Sequence, residues 1–456
     1  ITSDVFLSLG RVSASANSQF YSYQTGNWQS ADTWTQDESG NTLVPTNGKV
    51  PNDASQVTIL NGNTVTIPAT DSTKQQTKLT IDNGGVLDLT TSTGHNFTDI
   101  DGEGRIRIAS NNMPSGNFSD FNSSSGGTFE FYGANITLPA APDTTFNNLV
   151  LSNTSASNYT YTQNDNLFVR NNLTLEADGT GSTTFEVGGN TTSRELRVQG
   201  DVAINSGATW TVNNPGSSTT HTIYLRGDVT NDGTIDFETA NGAADLYFRG
   251  STDNEFASNS TTDLHTLYLD KGTDQTHILT INSTADNFSL TDGGQNLFLE
   301  NGTLKLESNI NLPDIDGTGN FDISYNQDNN ARLWVDGATL DFQDALVVYG
   351  TFLLSSGTVT VREQGMVNRE DGAISIEGGT LNLSKYRVSS TSVTHRGSFS
   401  ISGGTINIDD AYGNSNNNYA AFSIPFAEQS FTMTGGVINV TYADRGGDAE
   451  DGGIQI

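Results

Sequence analysis

Apolar residues in this chain recur two apart in short runs, and run after run opens on a glycine. Between Asn301 and Val440 the phrase returns as Gly302-Thr303-Leu304-Lys305-Leu306, Gly319-Asn320-Phe321-Asp322-Ile323 and Gly337-Ala338-Thr339-Leu340-Asp341-Phe342. It continues as Gly357-Thr358-Val359-Thr360-Val361, Gly379-Thr380-Leu381-Asn382-Leu383, Gly404-Thr405-Ile406-Asn407-Ile408 and Gly436-Val437-Ile438-Asn439-Val440. Strict alternation is the mark of a half-buried strand. Leu304, Leu306, Ile406 and Ile408 are then expected to face a core, and Lys305 and Asn407 solvent. The glycines step by 17, 18, 20, 22, 25 and 32 residues, the spacing of a repeat array. A strand this short cannot bury its apolar face alone. Stacked on the matching strand of a neighbouring coil, it gains a backbone ladder and a continuous core at about 4.8 Å per coil.

The fold class expected is therefore all-β, a single-stranded right-handed parallel β-helix (solenoid) with an N-terminal cap. A β-sandwich also has strands at short intervals, but the tight spacing and Gly-Gly corners favour the solenoid. Upstream, Gln56-Val57-Thr58-Ile59 and Thr64-Val65-Thr66-Ile67 read as a strand pair around an Asn61-Gly62 turn. Further strands follow at Leu79-Thr80-Ile81, Arg105-Ile106-Arg107-Ile108, Leu196-Arg197-Val198, Ile223-Tyr224-Leu225-Arg226-Gly227, Leu246-Tyr247-Phe248-Arg249-Gly250, Leu267-Tyr268-Leu269 and Leu297-Phe298-Leu299. Residues 1–50 are expected to form the capping segment and 51–456 the β-helix, with Pro139-Ala140-Ala141-Pro142 as a hinge. Trp28 and Trp34 are expected to lid the first coil, the alternative being a sugar-stacking platform.

Composition narrows the partners. The 456 residues include 48 glycines, no cysteine and a net charge of −32 from 20 basic and 52 acidic side chains. A chain without a basic stripe is a poor fit to duplex nucleic acid or an anionic membrane surface. Disulfide staples and thiol chemistry are excluded. No run approaches 18 apolar residues, so direct insertion as a helical span is not expected. The initial Ile1 is expected to follow a processing site or to mark a fragment, with residues 1–16 part of the mature chain.

The run Tyr21 to Trp34, then Pro51-Asn52-Asp53, then Val57-Thr58-Ile59-Leu60-Asn61-Gly62-Asn63-Thr64-Val65-Thr66-Ile67, resembles the N-terminal region of large secreted surface proteins of the Bacteroidetes. Phe146-Asn147-Asn148-Leu149-Val150-Leu151 resembles their recurrent coil phrase. The resemblance is a style of repeat over most of the chain. It implies a right-handed parallel β-helix and export by the type IX secretion system. It also implies a role as an adhesin or gliding-motility surface protein, secreted or at the bacterial cell surface. Its partners would be cell-surface or extracellular glycans and surfaces, further copies of itself, or outer-membrane secretion and anchoring machinery. The family's C-terminal sorting domain is not recognisable, so the sequence is expected to continue past Ile456. No catalytic residue carries over.

Candidate chemistry is sparse. Asp99-Ile100-Asp101-Gly102-Glu103-Gly104 and Asp314-Ile315-Asp316-Gly317-Thr318-Gly319 share one phrase. Alternating carboxylates before a glycine turn can gather oxygens around Ca²⁺, which makes Asp99, Asp101, Asp314 and Asp316 the metal candidates. The favoured reading of the same residues is a solenoid corner, where Asp caps turn amides and Gly takes the left-handed conformation. Ser72 and Thr144 sit in Asp-Ser/Thr-Thr phrases resembling the O-glycosylation acceptor of that phylum. No cofactor is required by any motif. The histidines His95, His221, His265, His277 and His395 are scattered and belong to no H-E-x-x-H or G-x-S-x-G phrase. A carbohydrate-active β-helix, either a polysaccharide lyase or glycoside hydrolase or a glycan-binding domain, is the alternative. As an enzyme it would need convergent carboxylates such as Asp409-Asp410 or basic groups, and Gly94-His95 is followed by Asn96 rather than a second glycine. The expected function is a non-enzymatic adhesin, stalk or filament-forming module.

Overall fold

The computed structural model describes residues 18–455 apart from 45, 47, 72, 141–143, 189–191, 214–219, 241, 285–286, 291–295, 308–309, 314–319, 363–364, 384–385, 389–396, 410–421, 424–429 and 442–453. The chain is a parallel β-solenoid, as the alternation predicts. Among the described residues helical structure is limited to the 3₁₀ turn Ala31–Thr33, and no helix is long and apolar enough to cross a membrane. Two compact units are distinguished, one of residues 1–139 with 145–152 and the other of 140–144 with 153–456. The expected hinge at Pro139–Pro142 falls partly outside the described residues, as do 1–17 of the expected cap.

In the first unit the core is a column of apolar side chains at one height on successive coils. Val65 sits on Leu87, Leu87 on Ile106, Ile106 on Phe129 and Phe129 on Leu149, all in parallel register and all buried. Each such side chain contributes about 1.5–3 kcal/mol of burial. Phe129 packs edge-on to Phe118, Phe121 and Phe146 at 5.2–5.4 Å between centroids. At the N-terminal side, strand Trp34–Thr35 runs antiparallel to Gln19–Ser22. Trp34 donates its indole N–H to the Trp28 carbonyl at 2.8 Å. Both tryptophans are fully buried, so neither ring offers a flat face for stacking on a sugar.

The Asn61-Gly62 turn is not a hairpin. Gln56–Ile59 pairs in parallel with Gln19–Ser22 and Lys78–Ile81, while Thr64–Thr66 pairs in parallel with Gly26–Asn27 and Val86–Asp88. The turn is a corner between two faces of one coil, and Gly62 supplies its positive φ of 82°.

The second unit has three faces. Inward columns run Leu167, Leu196, Ile223, Leu246, Leu267, Leu297 on the first face. On the second they run Leu173, Val202, Val229, Phe256, Ile281, Leu306, Val335, Leu354, Ile376 and Ile401. On the third, Tyr161, Phe185, Trp210 and Ile235 stack first, and Leu312, Leu340, Val359, Leu381, Ile406 and Ile438 stack later.

This assignment corrects the reading of the glycine phrases as one column. The phrases at Gly337, Gly357, Gly379, Gly404 and Gly436 share the third face, but the strand after Gly302 lies on the second face and Phe321–Ile323 on the first. All three faces read alike because each is a short strand packed on the same core. At the third-face corner the glycine is required twice over. Gly357 has φ 95°, and a Cβ there would stand 2.3 Å from the Ala338 carbonyl oxygen of the preceding coil.

Candidate functional site

The outward side of the first face in the second unit carries the densest chemistry. Its strands place one outward residue between two inward apolar ones, as in Leu246-Tyr247-Phe248 and Leu267-Tyr268-Leu269, so each middle residue points away from the core at the same height as its neighbour. The column reads Phe168, Arg197, Tyr224, Tyr247, Tyr268, Phe298 in unbroken register. Coil spacing near 4.8 Å suits ring stacking. Tyr247 and Tyr268 lie 4.2 Å apart at 4°, and Tyr268 and Phe298 4.5 Å apart at 6°. Tyr224 leans on Tyr247 at 5.1 Å and 40°, and Tyr325 meets Phe298 edge-on at 4.9 Å. The rings thus spend their faces on one another and turn their edges to solvent. Burial raises the Tyr247 and Tyr268 hydroxyls above the usual phenol range, with Asp245 adding to the rise of the first and Tyr247 to that of the second.

Arginines frame the lower end of this ladder. Arg249 lies over the Tyr224 ring at 4.4 Å and the Tyr247 ring at 5.2 Å, and its Nε is 3.3 Å from Asp270. Arg197 lies over Tyr224 at 5.3 Å and forks onto the Glu195 carboxylate, which raises its already high pKa. Arg170 lies over Phe168 at 5.1 Å. Where Arg197 replaces an aromatic rung, a recess of about 340 Å³ opens, lined by Phe168, Glu195, Arg197, Tyr224, Arg226 and Arg249 among others. Arg226 is exposed at its rim, and its stem runs 3.7 Å from where a Cβ on Gly250 would be. The recess concentrates positive charge on a strongly acidic chain, and guanidinium forks suit carboxylate or sulfate groups. The residues themselves were visible in the sequence as strands, but their alignment into one column was not.

The other outward column that stands out is made of amides. Asn407 donates its side-chain N–H to Asn382 Oδ1 at 2.9 Å, Asn439 donates to Asn407 Oδ1 at 2.9 Å, and Asn382 reaches Thr360 Oγ1 at 3.3 Å.

The sequence candidates are placed as follows. Asp99 is exposed and accepts from Asn117 Nδ2 at 3.0 Å. Asp101 accepts the Gly102 N–H at 2.7 Å and lies 3.6 Å from Lys78 Nζ. Among the described residues no group of three or more His, Cys, Asp or Glu side chains is gathered to hold a metal. Asp314, Asp316, Ser72 and Asp410 lie outside the described residues, and Asp409 ends the strand Thr405–Asp409. Thr144 is half-buried, and its carbonyl accepts the Phe168 N–H at 2.9 Å.

Three of the histidines, His95, His221 and His265, occupy structural places, and His395 lies outside the described residues. His95 is buried, stacked on Phe97, with Nδ1 accepting the Lys74 N–H at 3.1 Å and Nε2 3.0 Å from Ser92 Oγ. Burial, with Lys74 nearby, pushes it down to about 4. His221 is buried and accepts the Arg194 N–H at 3.0 Å, and burial followed by Arg194 lowers it too. His265 pairs with Glu238.

Comparison with family models, with curated proteins and with solved structures finds no match to this chain.

Proposed function

We propose that the chain is a non-enzymatic structural and adhesive β-solenoid, working as an adhesin, stalk or filament-forming module outside the cell or at a bacterial cell surface. One observation carries the reading. Side chains facing outward on successive coils are spent on each other, as stacked rings from Tyr224 to Phe298 and as an amide chain from Asn382 to Asn439. Such columns stiffen a scaffold along its stacking direction and converge on no reacting centre. The −32 charge favours solubility and discourages non-specific polyanion contact. The arginine-framed recess is the local exception, and an anionic group on a glycan or surface is its natural occupant. Self-association and contact with secretion or anchoring machinery belong to the same reading. Bound Ca²⁺ is compatible with it and not needed by it.

The test pairs a turnover screen with a retention assay. Purified protein is incubated with pectin, alginate, xylan and other glycans, with and without Ca²⁺, and released reducing or unsaturated ends are measured. No release is expected, together with salt-sensitive retention on surfaces bearing carboxylated or sulfated glycans that weakens in Arg226→Ala. Reproducible release of oligosaccharides would overturn the proposal in favour of a carbohydrate-active solenoid. Absence of retention on every surface tried, with no self-association, would remove the adhesive half.

A further inference from the structure

Lys271 closes the strand Thr266–Lys271 and, by the alternation of that strand, turns inward at the corner between the first and second faces. It has no exposed surface. The next coil presses Gly302 onto it: a Cβ at Gly302 would stand 2.9 Å from Lys271 Cβ. Among the described residues no carboxylate lies within ion-pair distance of its Nζ. The contact it makes is to an amide, with Nζ 2.5 Å from Asn254 Oδ1. Asn254 opens the second-face strand Asn254–Ser258 of the preceding coil. Its own Nδ2 donates to Asp228 Oδ1 at 3.1 Å, and that oxygen also accepts the Glu255 N–H at 3.0 Å. Amine, carboxamide and carboxylate are therefore lined up across three successive coils.

A fully buried ammonium with a single neutral acceptor is a costly arrangement. Burial pushes the Lys271 amine down to about 8, with Asp253 and Asp228 opposing the shift. An appreciable share of it is then the neutral, nucleophilic form near physiological pH. The amine is held against the carboxamide group it would attack, so the encounter is already made.

We propose that Lys271 and Asn254 join in an intramolecular isopeptide bond, with Asp228 as the acid–base group. The neutral Nζ adds to Cγ of Asn254, forming the new C–N bond. The Asp228 carboxylate, in contact with Nδ2, takes up the proton that Nζ sheds as it adds and passes it to that nitrogen. The Cγ–Nδ2 bond breaks, and ammonia leaves past Asp228, which is exposed to solvent. The balance is one amine and one primary amide giving one secondary amide and one ammonia, with no change of oxidation state and no external reactant. The buried charge disappears. The product ties consecutive coils together across 17 residues, in a chain that has no cysteine for a disulfide.

The experiment is intact-mass spectrometry of the purified full chain, followed by proteolytic mapping. The expected mass is lower than the sequence mass by one ammonia, and the map holds a branched peptide joining the Asn254 segment to the Lys271 segment. Lys271→Met and Asp228→Asn, each checked by circular dichroism for the β-signal of the parent, are expected to keep the full mass. A wild-type mass equal to the sequence mass after prolonged incubation at neutral pH overturns the proposal. So does ammonia loss that maps to any other pair. A bond that still forms in Asp228→Asn overturns the role given to Asp228.

Discussion

Glu130 and Lys271 are both charged residues buried on parallel coils, one in each unit, and they are held in opposite ways. Glu130 accepts from Arg105 at 2.8 Å, from Arg107 at 3.0 and 3.1 Å, and from Ser152 at 2.6 Å. Arg107 also approaches Asp88 at 3.4 Å and lies 4.2 Å over the Tyr132 ring, whose hydroxyl donates to Asp88 at 2.6 Å. Burial pushes the Glu130 carboxyl up, but the hydrogen bonds from Ser152 and Arg107 and the two guanidinium charges outweigh it, leaving it below the usual range. Lys271 has the amide oxygen of Asn254 and no compensating ion pair, and burial prevails. A buried charge whose every lone pair is met is a structural part, inert because nothing about it is unfinished. One that is left short has its reactive form populated, and chemistry can finish what hydrogen bonding does not.

The largest effect should come from removing the satisfied partner. Glu130→Ala removes the carboxylate that Arg105, partly exposed, and Arg107, still beside Asp88, share, and should cost about 3 kcal/mol in a denaturant titration. Leu381→Asp, which places an unpaired carboxylate in the third-face column, should cost a similar several kcal/mol. For Lys271→Met the sign itself discriminates. If the isopeptide bond is present, losing a link across a short loop should destabilise by about 3 kcal/mol. If the ammonium is merely buried, replacing it with an apolar side chain of similar length should be neutral or stabilising by about 1–4 kcal/mol. Stabilisation would place Lys271 beside Glu130 as a passive group and dissolve the contrast.

The architecture was largely legible in the sequence because alternation reports the in/out register directly. Leu304 and Leu306 are buried beside the mostly shielded but outward Lys305, which reaches Glu307 at 2.7 Å. What the residues could not report is which strand lies on which. A corner and a hairpin share the Asn-Gly signal, so Asn61-Gly62 misleads until the parallel partners are seen. The tyrosine column was hidden for the same reason. Its rungs are separated by loops of unequal length, and only the pairing of Tyr224 with Tyr247 and of Tyr247 with Tyr268 sets them level. Lys271 and Asn254 each look ordinary in sequence. Their contact arises from coil stacking, and no motif announces it.

His95 gives a third state for a buried titratable group, one held neutral. It faces the Lys74 backbone and ammonium, Asp71 and Ser92, and burial with Lys74 lowers it to about 4 despite Asp71. An unfolded histidine titrates near 6.5. Between about 6.5 and 4 the unfolded chain therefore holds a proton that the folded one refuses, and stability falls as pH drops through that window. The loss should reach on the order of 2–3 kcal/mol for the first unit by pH 4. His95→Gln should flatten that segment of the pH–stability curve. An unchanged slope in the variant would show that other groups carry the acid response and that His95 is not held neutral.

The smallest effect expected is at Asn382, and it is the control for the whole comparison. Asn382 neighbours Leu381 in sequence but faces outward, half-buried in the amide column. Asn382→Asp removes the donor of the long 3.3 Å contact to Thr360. It also gives Asn407, now 2.9 Å from Asn382 Oδ1, a charged acceptor in place of a neutral one, which strengthens that bond. Water reaches the site, so the new charge stays solvated and its cost is screened. The two changes nearly offset, and the net shift should stay within about 0.5 kcal/mol. The same carboxylate one residue earlier, in Leu381→Asp, should cost several times more because it has neither water nor donor. Urea titrations of the two variants side by side measure this. Equal destabilisation would mean that a charge on the outer column is as uncompensated as one inside, and that satisfaction by neighbours does not separate Glu130 from Lys271.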